Sequence, residues 1–351
     1  MTPATIKSQS LANPAEHASD RSSGRLAMLS LSLRALRAGP FLILLVLALI
    51  LSLTVPVFMT GRNLGNVLAQ TAVIAVVAMG QHLVILTRGI DLSVGSNLAL
   101  ASVFGALVYK VADSSPLVML VMVVAGALVG AVNGLVYVFG RLPHPFIITL
   151  ATLSIAKGLA LQFADGRALP GMPEGIAFIG HESIGWLPVS AFIVAAVALI
   201  LVALTRFMVW GNWAYALGGN PEAARRTGIP VRGMLVSVYV ISGLTAGIGA
   251  VILAGRTNAG SPLFGNLLEL DTIAAVIIGG ASFLGGRGHL GHALVGALMI
   301  GVIRNALNLL NVGIFLQLIV IGIVIVIAVQ ADVLRNSLEE RFRVLQAAKT
   351  Q

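Results

Sequence analysis

The chain has no cysteine. A disulfide framework, a thiol nucleophile and a thiolate-held metal are thereby excluded. Charge is scarce: Asp, Glu, Lys and Arg make up 10% of the 351 residues, where a soluble domain carries roughly a quarter. The only lysines are Lys7, Lys110, Lys157 and Lys349, and none follows a glycine. The chain therefore has no phosphate loop of the form G-x-x-x-x-G-K-S/T and supplies no nucleotide site of its own. His289 and His292 stand in a glycine-rich turn without an acid at metal-ligand spacing, so neither a metal nor a cofactor is expected. Paired carboxylates inside a membrane segment are also missing, which argues against a proton relay. An intramembrane enzyme and an ion-driven carrier are both disfavoured, although sodium coupling through backbone carbonyls stays open.

What the chain does have is apolar surface. Hydrophobic residues make up 58% and mean hydropathy is +0.98, the composition of an integral membrane protein. The pI near 10.8 does not imply nucleic acid, because the basic residues are dispersed over short loops rather than gathered into a patch. Apolar segments lie at about 40–59, 66–86, 92–110, 117–138, 146–163, 187–209, 234–254, 272–285, 289–310 and 313–331. The expected fold is an all-α, polytopic transmembrane bundle of ten spans, with 272–285 short enough to be tilted, broken or re-entrant. Residues 1–38 read as a basic, disordered tail. Residues 39–333 read as the permease domain, with 211–232 a long polar, charged interruption within it, and 334–351 as a C-terminal tail.

Orientation follows from the cations. With the N-terminus inside, the cytoplasmic set is Lys7, Arg21, Arg25, Arg34, Arg37, Arg88, Arg141, Arg206, Arg225, Arg226, Arg232, Arg287, Arg335, Arg341, Arg343 and Lys349. The other side holds Arg62, Lys110, Arg167 and Arg256, while Lys157 and Arg304 fall within spans. The imbalance places both termini and the 211–232 segment in the cytoplasm. The outer loops carry Asp113, Asp165, Glu174, Glu182, Glu269 and Asp271. They form either an acidic docking rim for an external partner or ordinary polar loops.

Within 211–232 lies one short helix with strong boundaries. Asn220 is an N-cap and Pro221 sits at N1. Glu222 complements the positive end of the helix dipole, and Arg225 and Arg226 the negative end. Gly228 is placed at the left-handed C′ position, and Pro230 blocks continuation. Ala223 and Ala224 complete the turn. Two turns of helix are marginal in water and call for a surface to dock on. One of the two arginines is expected to face that partner.

Other polar residues are candidates for a solute path. In Arg88-Gly89-Ile90-Asp91-Leu92-Ser93-Val94-Gly95-Ser96-Asn97, Asp91, Ser93, Ser96 and Asn97 would offer carboxylate, hydroxyls and an amide from a broken-helix start. The plainer alternative is a capped helix with an Arg88–Asp91 ion pair at the membrane boundary. Thr149, Thr152, Asn305, Asn308 and Gln317 are polar residues within or beside spans; they would hydrogen-bond a solute's hydroxyls or join helices to one another. Arg88-Gly89 and Arg287-Gly288 follow similar runs, AVVAMG and AAVIIG, a weak hint of an internal repeat.

Several stretches together resemble the permease subunits of ribose-type monosaccharide ABC importers. They are VFMTGRNLGNVLAQ, RGIDLSVGS, LPHPFIITLATLSIAKGLAL, DGRALPGMP, YALGGNPEAARRTGI, ELDTIAAVIIGGASFLGGRG and GVIRNALNLL. The likeness runs from Val57 to Asp332. It implies a helical permease working as a dimer, most simply of two copies, with a cytoplasmic ATPase and an external sugar-binding protein as partners. Glu222, Ala223, Ala224 and Gly228 match the family's EAA-x-x-x-G coupling stretch, which docks on the ATPase. Arg88 stands where the family usually has glycine, His144 interrupts a proline-rich entry, and FLQLIVIG lacks a second Gln and a Lys. The alternatives are a stand-alone secondary carrier or channel, or an ABC permease for branched-chain amino acids or nucleosides.

Overall fold

The structure, a computed structural model, describes residues 39–350. The tail expected over 1–38 lies outside the described residues. Residues 40–332 form one compact unit.

Each predicted apolar segment contains a helix. In chain order these are α1 (Gly39–Thr54), α2 (Gly61–Leu86), α3 (Val94–Tyr109), α4 (Ser115–Phe139) and α5 (Pro145–Phe163). After a connecting helix α6 (Glu174–His181) come α7 (Val189–Phe207), α8 (Val209–Gly219), α9 (Pro221–Arg226) and α10 (Val231–Thr257). The chain continues through α11 (Leu268–Ile278), α12 (Leu290–Leu309) and α13 (Ile314–Thr350). Helix starts follow local rules. Thr60 caps α2 by accepting from Asn63 N, and Pro116, Pro145 and Pro221 occupy the first turns of α4, α5 and α9, where a missing N–H costs nothing.

Among the described residues, seven helices are long and apolar enough to cross a membrane: α2, α4, α5, α7, α10, α12 and the Ile314–Leu334 part of α13. The remaining apolar helices, α1, α3 and α11, are shorter than a full span needs. Helices α2 and α10 form the centre. In α2, 83% of the apolar stretch is buried, against 22% in α4, α5 and α7 and 11% in α13. The outward faces of those peripheral helices carry large exposed apolar side chains such as Leu128, Ile155, Leu199, Phe315 and Ile327. Such a belt requires lipid.

The α4–α10 contact is the most extensive in the bundle. A Cβ on Gly126 would strike the backbone of Gly243 and Gly247, and one on Gly243 would strike Gly126. Small residues here let the two backbones touch, which is how helices associate where lipid removes the hydrophobic drive. A reciprocal amide pair joins α2 to α12: Asn63 Nδ2 donates to Asn305 Oδ1 at 3.0 Å, and Asn305 Nδ2 to Asn63 Oδ1 at 2.8 Å.

Two of the loops expected on the outer side are tied together. Strand β1 (Leu169–Pro170) and strand β4 (Ala259–Gly260) pair antiparallel, with Leu169 opposite Gly260. A second small hairpin pairs β2 (Ser183–Ile184) with β3 (Leu187–Pro188). Asn258, left-handed at φ 47°, accepts from Gly171 N through its carbonyl (2.8 Å) and from Met172 N through Oδ1 (2.9 Å). Helix α6 buries Ile176 and presses Gly180 against Gly255 and Arg256 of α10. The β1–β4 pair and α9 lie at opposite ends of α10, whose 27 residues span about 40 Å.

Candidate functional site

Helix α9 forms as its sequence dictates. The Asn220 side chain accepts from Glu222 N and Ala223 N, both at 3.1 Å. At the other end Gly228 takes φ +83°. Its N–H bonds Arg225 O at 3.2 Å, and Ile229 N–H bonds Ala224 O at 3.2 Å; this is the paired closure of a Schellman end. Ala224 is the buried residue of α9; the rest of the helix is exposed. Arg226 pairs with Glu222 one turn back, at 3.3 Å, with both side chains largely exposed. Arg225 instead borders a cavity of about 520 Å³ whose lining includes Arg141 and Arg232 and no acid. The two arginines therefore have different surroundings.

Helix α8 (Val209–Gly219) lies mostly in residues that by sequence belong to the polar interruption. Its signals were Trp210, Trp213 and Tyr215 on an amphipathic stretch, closed by Gly218-Gly219. It ends at Asn220, which is both its C-cap and the N-cap of α9. The two helices make an elbow. Against the elbow lie both arginine–glycine turns of the sequence. Arg88 donates from Nε to Gly218 O and from Nη2 to Gly219 O, each at 2.6 Å. Tyr215 Oη donates to Gly288 O at 2.7 Å, and burial pushes the Tyr215 phenol up, keeping it a donor. Gly286 N donates to Leu86 O at 2.8 Å, joining the turns to each other. Gly218 fits between Leu86 O and Gly286, where a Cβ has no room.

The expected Arg88–Asp91 ion pair is not formed. Arg88 takes the left-handed conformation, φ +66°, and its guanidinium meets the carbonyl end of α8, the negative pole of that helix. Asp91 is buried and is satisfied from elsewhere. Its Oδ1 accepts from Ser93 N (3.0 Å) and Ser93 Oγ (2.7 Å), and its Oδ2 from Ser242 Oγ (2.8 Å). Ser93 Oγ accepts from Asn133 Nδ2 at 2.8 Å, and Asn133 Oδ1 from Thr152 Oγ1 at 2.6 Å. Thr149 Oγ1 donates to Ile90 O at 3.2 Å. With its amide turned so that both groups are satisfied, Gln81 spans the Asp91 peptide, donating to Asp91 O at 3.1 Å and accepting from Asp91 N at 3.3 Å. One buried network thus joins the 87–93 turn to α2, α4, α5 and α10. Nothing in the sequence marked Ser242.

The nine residues nominated for a solute path divide. Asp91, Ser93, Thr149 and Thr152 share this network. Asn97 is buried nearby and donates to Gly126 O at 3.0 Å, while its Oδ1 has no partner among the described residues. Ser96 is buried at the start of α3. Asn305 belongs to the α2–α12 amide pair. Asn308 is exposed and accepts from Gln317 Nε2 at 2.8 Å.

The intramembrane cations are held by protein. Lys157 Nζ donates to Pro262 O at 2.7 Å, and Arg304 Nη2 pairs with Asp271 at 2.6 Å. Asp271, buried in that pair, is not part of an exposed acidic rim. His289 and His292 stack edge to face at 5.5 Å. Among the described residues no cluster of His, Cys, Asp or Glu is arranged to hold a metal.

A family model described as branched-chain amino acid transport system / permease component matches residues 63–329. The chain is 40% identical over 298 residues to the ribose import permease protein of Bacillus subtilis (strain 168), covering 84% of this chain and 92% of that one. It is 38% identical over 293 residues to the ribose import permease protein of Escherichia coli (strain K12), covering 82% and 91%. It is 38% identical over 294 residues to the D-allose transport system permease protein of the same strain, covering 83% and 90%. No solved structure matches the chain. A lipid-facing bundle, an exposed and capped α9 and similarity over most of its length agree: the chain belongs to the permease family that contains the ribose-type import permeases.

Proposed function

We propose that this chain is the membrane-spanning subunit of an ATP-driven monosaccharide importer, a multi-pass protein of the cytoplasmic membrane. Similarity to ribose and allose permeases over more than four-fifths of the chain supports a sugar over the amino acid in the family description. We read α1, α3 and α11 as short or partial spans that bring the total to ten, with both termini and α9 in the cytoplasm, in accord with the cation count. The permease domain then runs over 39–333. Two copies are expected to work together.

The observation that carries the reading is α9. A six-residue helix with complete caps at both ends, and only Ala224 buried, is built to be presented to something else. The partner is an ATPase subunit, since this chain has no phosphate loop. In this mechanism Asn220, Pro221, Glu222, Ala223, Ala224, Arg225 and Gly228 form the docking element. ATP binding and hydrolysis in the partner displace α9, and the bundle answers by opening to one side or the other. Arg225, with Arg141 and Arg232, faces anionic lipid or acidic groups at the cytoplasmic surface. At the other end of α10 the tied β1–β4 loops offer a firm platform for an external sugar-binding protein. The Asp91 network seats the turn beside the path, with Ser96 and Asn97 at the broken-helix start, and Asn305, Asn308 and Gln317 on the α12–α13 side.

The test is uptake. Glu222→Ala and Ala223→Pro should leave the protein in the membrane at wild-type level and abolish ATP-dependent sugar uptake. Normal uptake by both variants would remove α9 from the coupling role.

A further inference from the structure

We propose that Arg88 is a positioning residue that ties the α8–α9 elbow to the buried Asp91 turn, so that movement of α9 is passed directly to the centre of the bundle. The proposal rests on the reading of α9 as the ATPase-docking helix.

The geometry is specific. Arg88 holds the last two carbonyls of α8, Gly218 O and Gly219 O, with two separate guanidinium nitrogens at 2.6 Å each. The next residue, Asn220, starts α9. On its other side Arg88 is three residues from Asp91, whose carboxylate holds Ser93 on its own turn and Ser242 on α10. Asn133 of α4 and Thr152 of α5 follow through Ser93. The docking helix is thus linked to three membrane helices by one side chain and a short run of backbone. Gly218 also packs on Leu86 and Gly286, and Tyr215 bonds Gly288 alongside, but the Arg88 fork is the side-chain bond that holds the end of α8 directly to the 86–91 segment.

Two features indicate that the arginine is there for this link. A guanidinium presents rigid, coplanar donors that match two neighbouring carbonyls, whereas a lysine ammonium is a single point charge on a flexible stem. The backbone at Arg88 is left-handed, a conformation unfavourable for a long side chain and free for glycine. Such a conformation persists where the surroundings hold it in place, and here the two carbonyls do so.

That strain makes a clean test possible. Arg88→Gly suits the local backbone better than the native residue while removing the link. The complete transporter, reconstituted with its ATPase and sugar-binding protein, is assayed for sugar imported per ATP hydrolysed. Arg88→Gly should lower that ratio at least tenfold at wild-type recovery of the assembled complex. Arg88→Lys should fall between the two, because it restores charge and one bond but not the fork. If the glycine variant assembles poorly, the lysine variant decides the same question. A wild-type ratio in Arg88→Gly, or in Arg88→Lys where glycine is not recovered, overturns the proposal. The two readings fail differently. Loss of uptake in Glu222→Ala and Ala223→Pro with a normal ratio in Arg88→Gly rejects the link alone. Normal uptake in the α9 variants rejects the docking assignment beneath it.

Discussion

Replacing Asn220 by alanine removes both hydrogen bonds that start α9. The side-chain oxygen accepts from Glu222 N and Ala223 N at 3.1 Å, and an alanine offers no acceptor. Loss of such a cap costs about 1 kcal/mol, within a range of roughly 0.5–2. In a long packed helix that loss is diluted by tertiary contacts. Here the helix has six residues and buries only Ala224, so little offsets it. The Gly228 closure at the far end stays intact, which confines the effect to the first turn. About 1 kcal/mol is roughly a fivefold change in the ratio of formed to frayed first turn. Hydrogen exchange at the Glu222 and Ala223 amides, measured on the protein in nanodiscs, should accelerate by about that factor. ATP-dependent uptake should fall severalfold if docking requires the formed helix. Asn220→Ser keeps an acceptor and should behave nearly as wild type in both assays. Unchanged exchange and uptake in Asn220→Ala would refute the argument that the cap holds α9. A serine variant as damaged as alanine would show that the Asn220 side chain acts by contact with the partner.

Asp91→Ala strands the Ser93 and Ser242 donors in the bundle interior. At about 1–3 kcal/mol for each unsatisfied group, the loss should total about 3 kcal/mol or more, read as a lower midpoint in SDS-titrated unfolding; Asp91→Asn, which keeps acceptor capacity, should lose less. Gly126→Ala forces a methyl group into the Gly243–Gly247 backbone, and this overpacking should cost about 1–3 kcal/mol in the same titration, whereas an exposed Gly158→Ala, with open space around it, should not destabilise. A double-mutant cycle on Asn63 and Asn305 should give a coupling of about 0.6 kcal/mol and no more than about 1.7, the range of interhelical hydrogen bonds in lipid.

How much of this was legible in the sequence depends on how local each feature is. Both ends of α9 were readable because Asn220, Pro221, Gly228 and Pro230 act on backbone within a few residues of themselves. The apolar segments were readable because a membrane imposes length and composition on each helix separately. The partners of Arg88 were not, because Gly218 and Gly219 lie 130 and 131 positions away. Reading locally, the sequence paired Arg88 with the nearest acid; the left-handed backbone at residue 88 instead places its guanidinium on α8. Ser242, 151 positions from Asp91, is one serine among several on an apolar helix. Asp271 was read as an outer-loop acid and proves to be the counter-ion of Arg304, 33 positions on. The β1–β4 tie escaped notice because two-residue strands carry no periodicity. Helices α6 and α8 escaped because each sits inside a stretch whose polar and glycine content reads as loop.

On the function proposed, this chain moves sugar only as part of an ATP-driven assembly. The most direct measurement is uptake of labelled ribose into liposomes holding the purified chain, with ATPase subunit and sugar-binding protein each added or withheld. Ribose should accumulate only when both partners and ATP are present, with no flux through the chain alone. Ribose entering liposomes that contain this chain without either partner would contradict it and identify a self-sufficient carrier or channel.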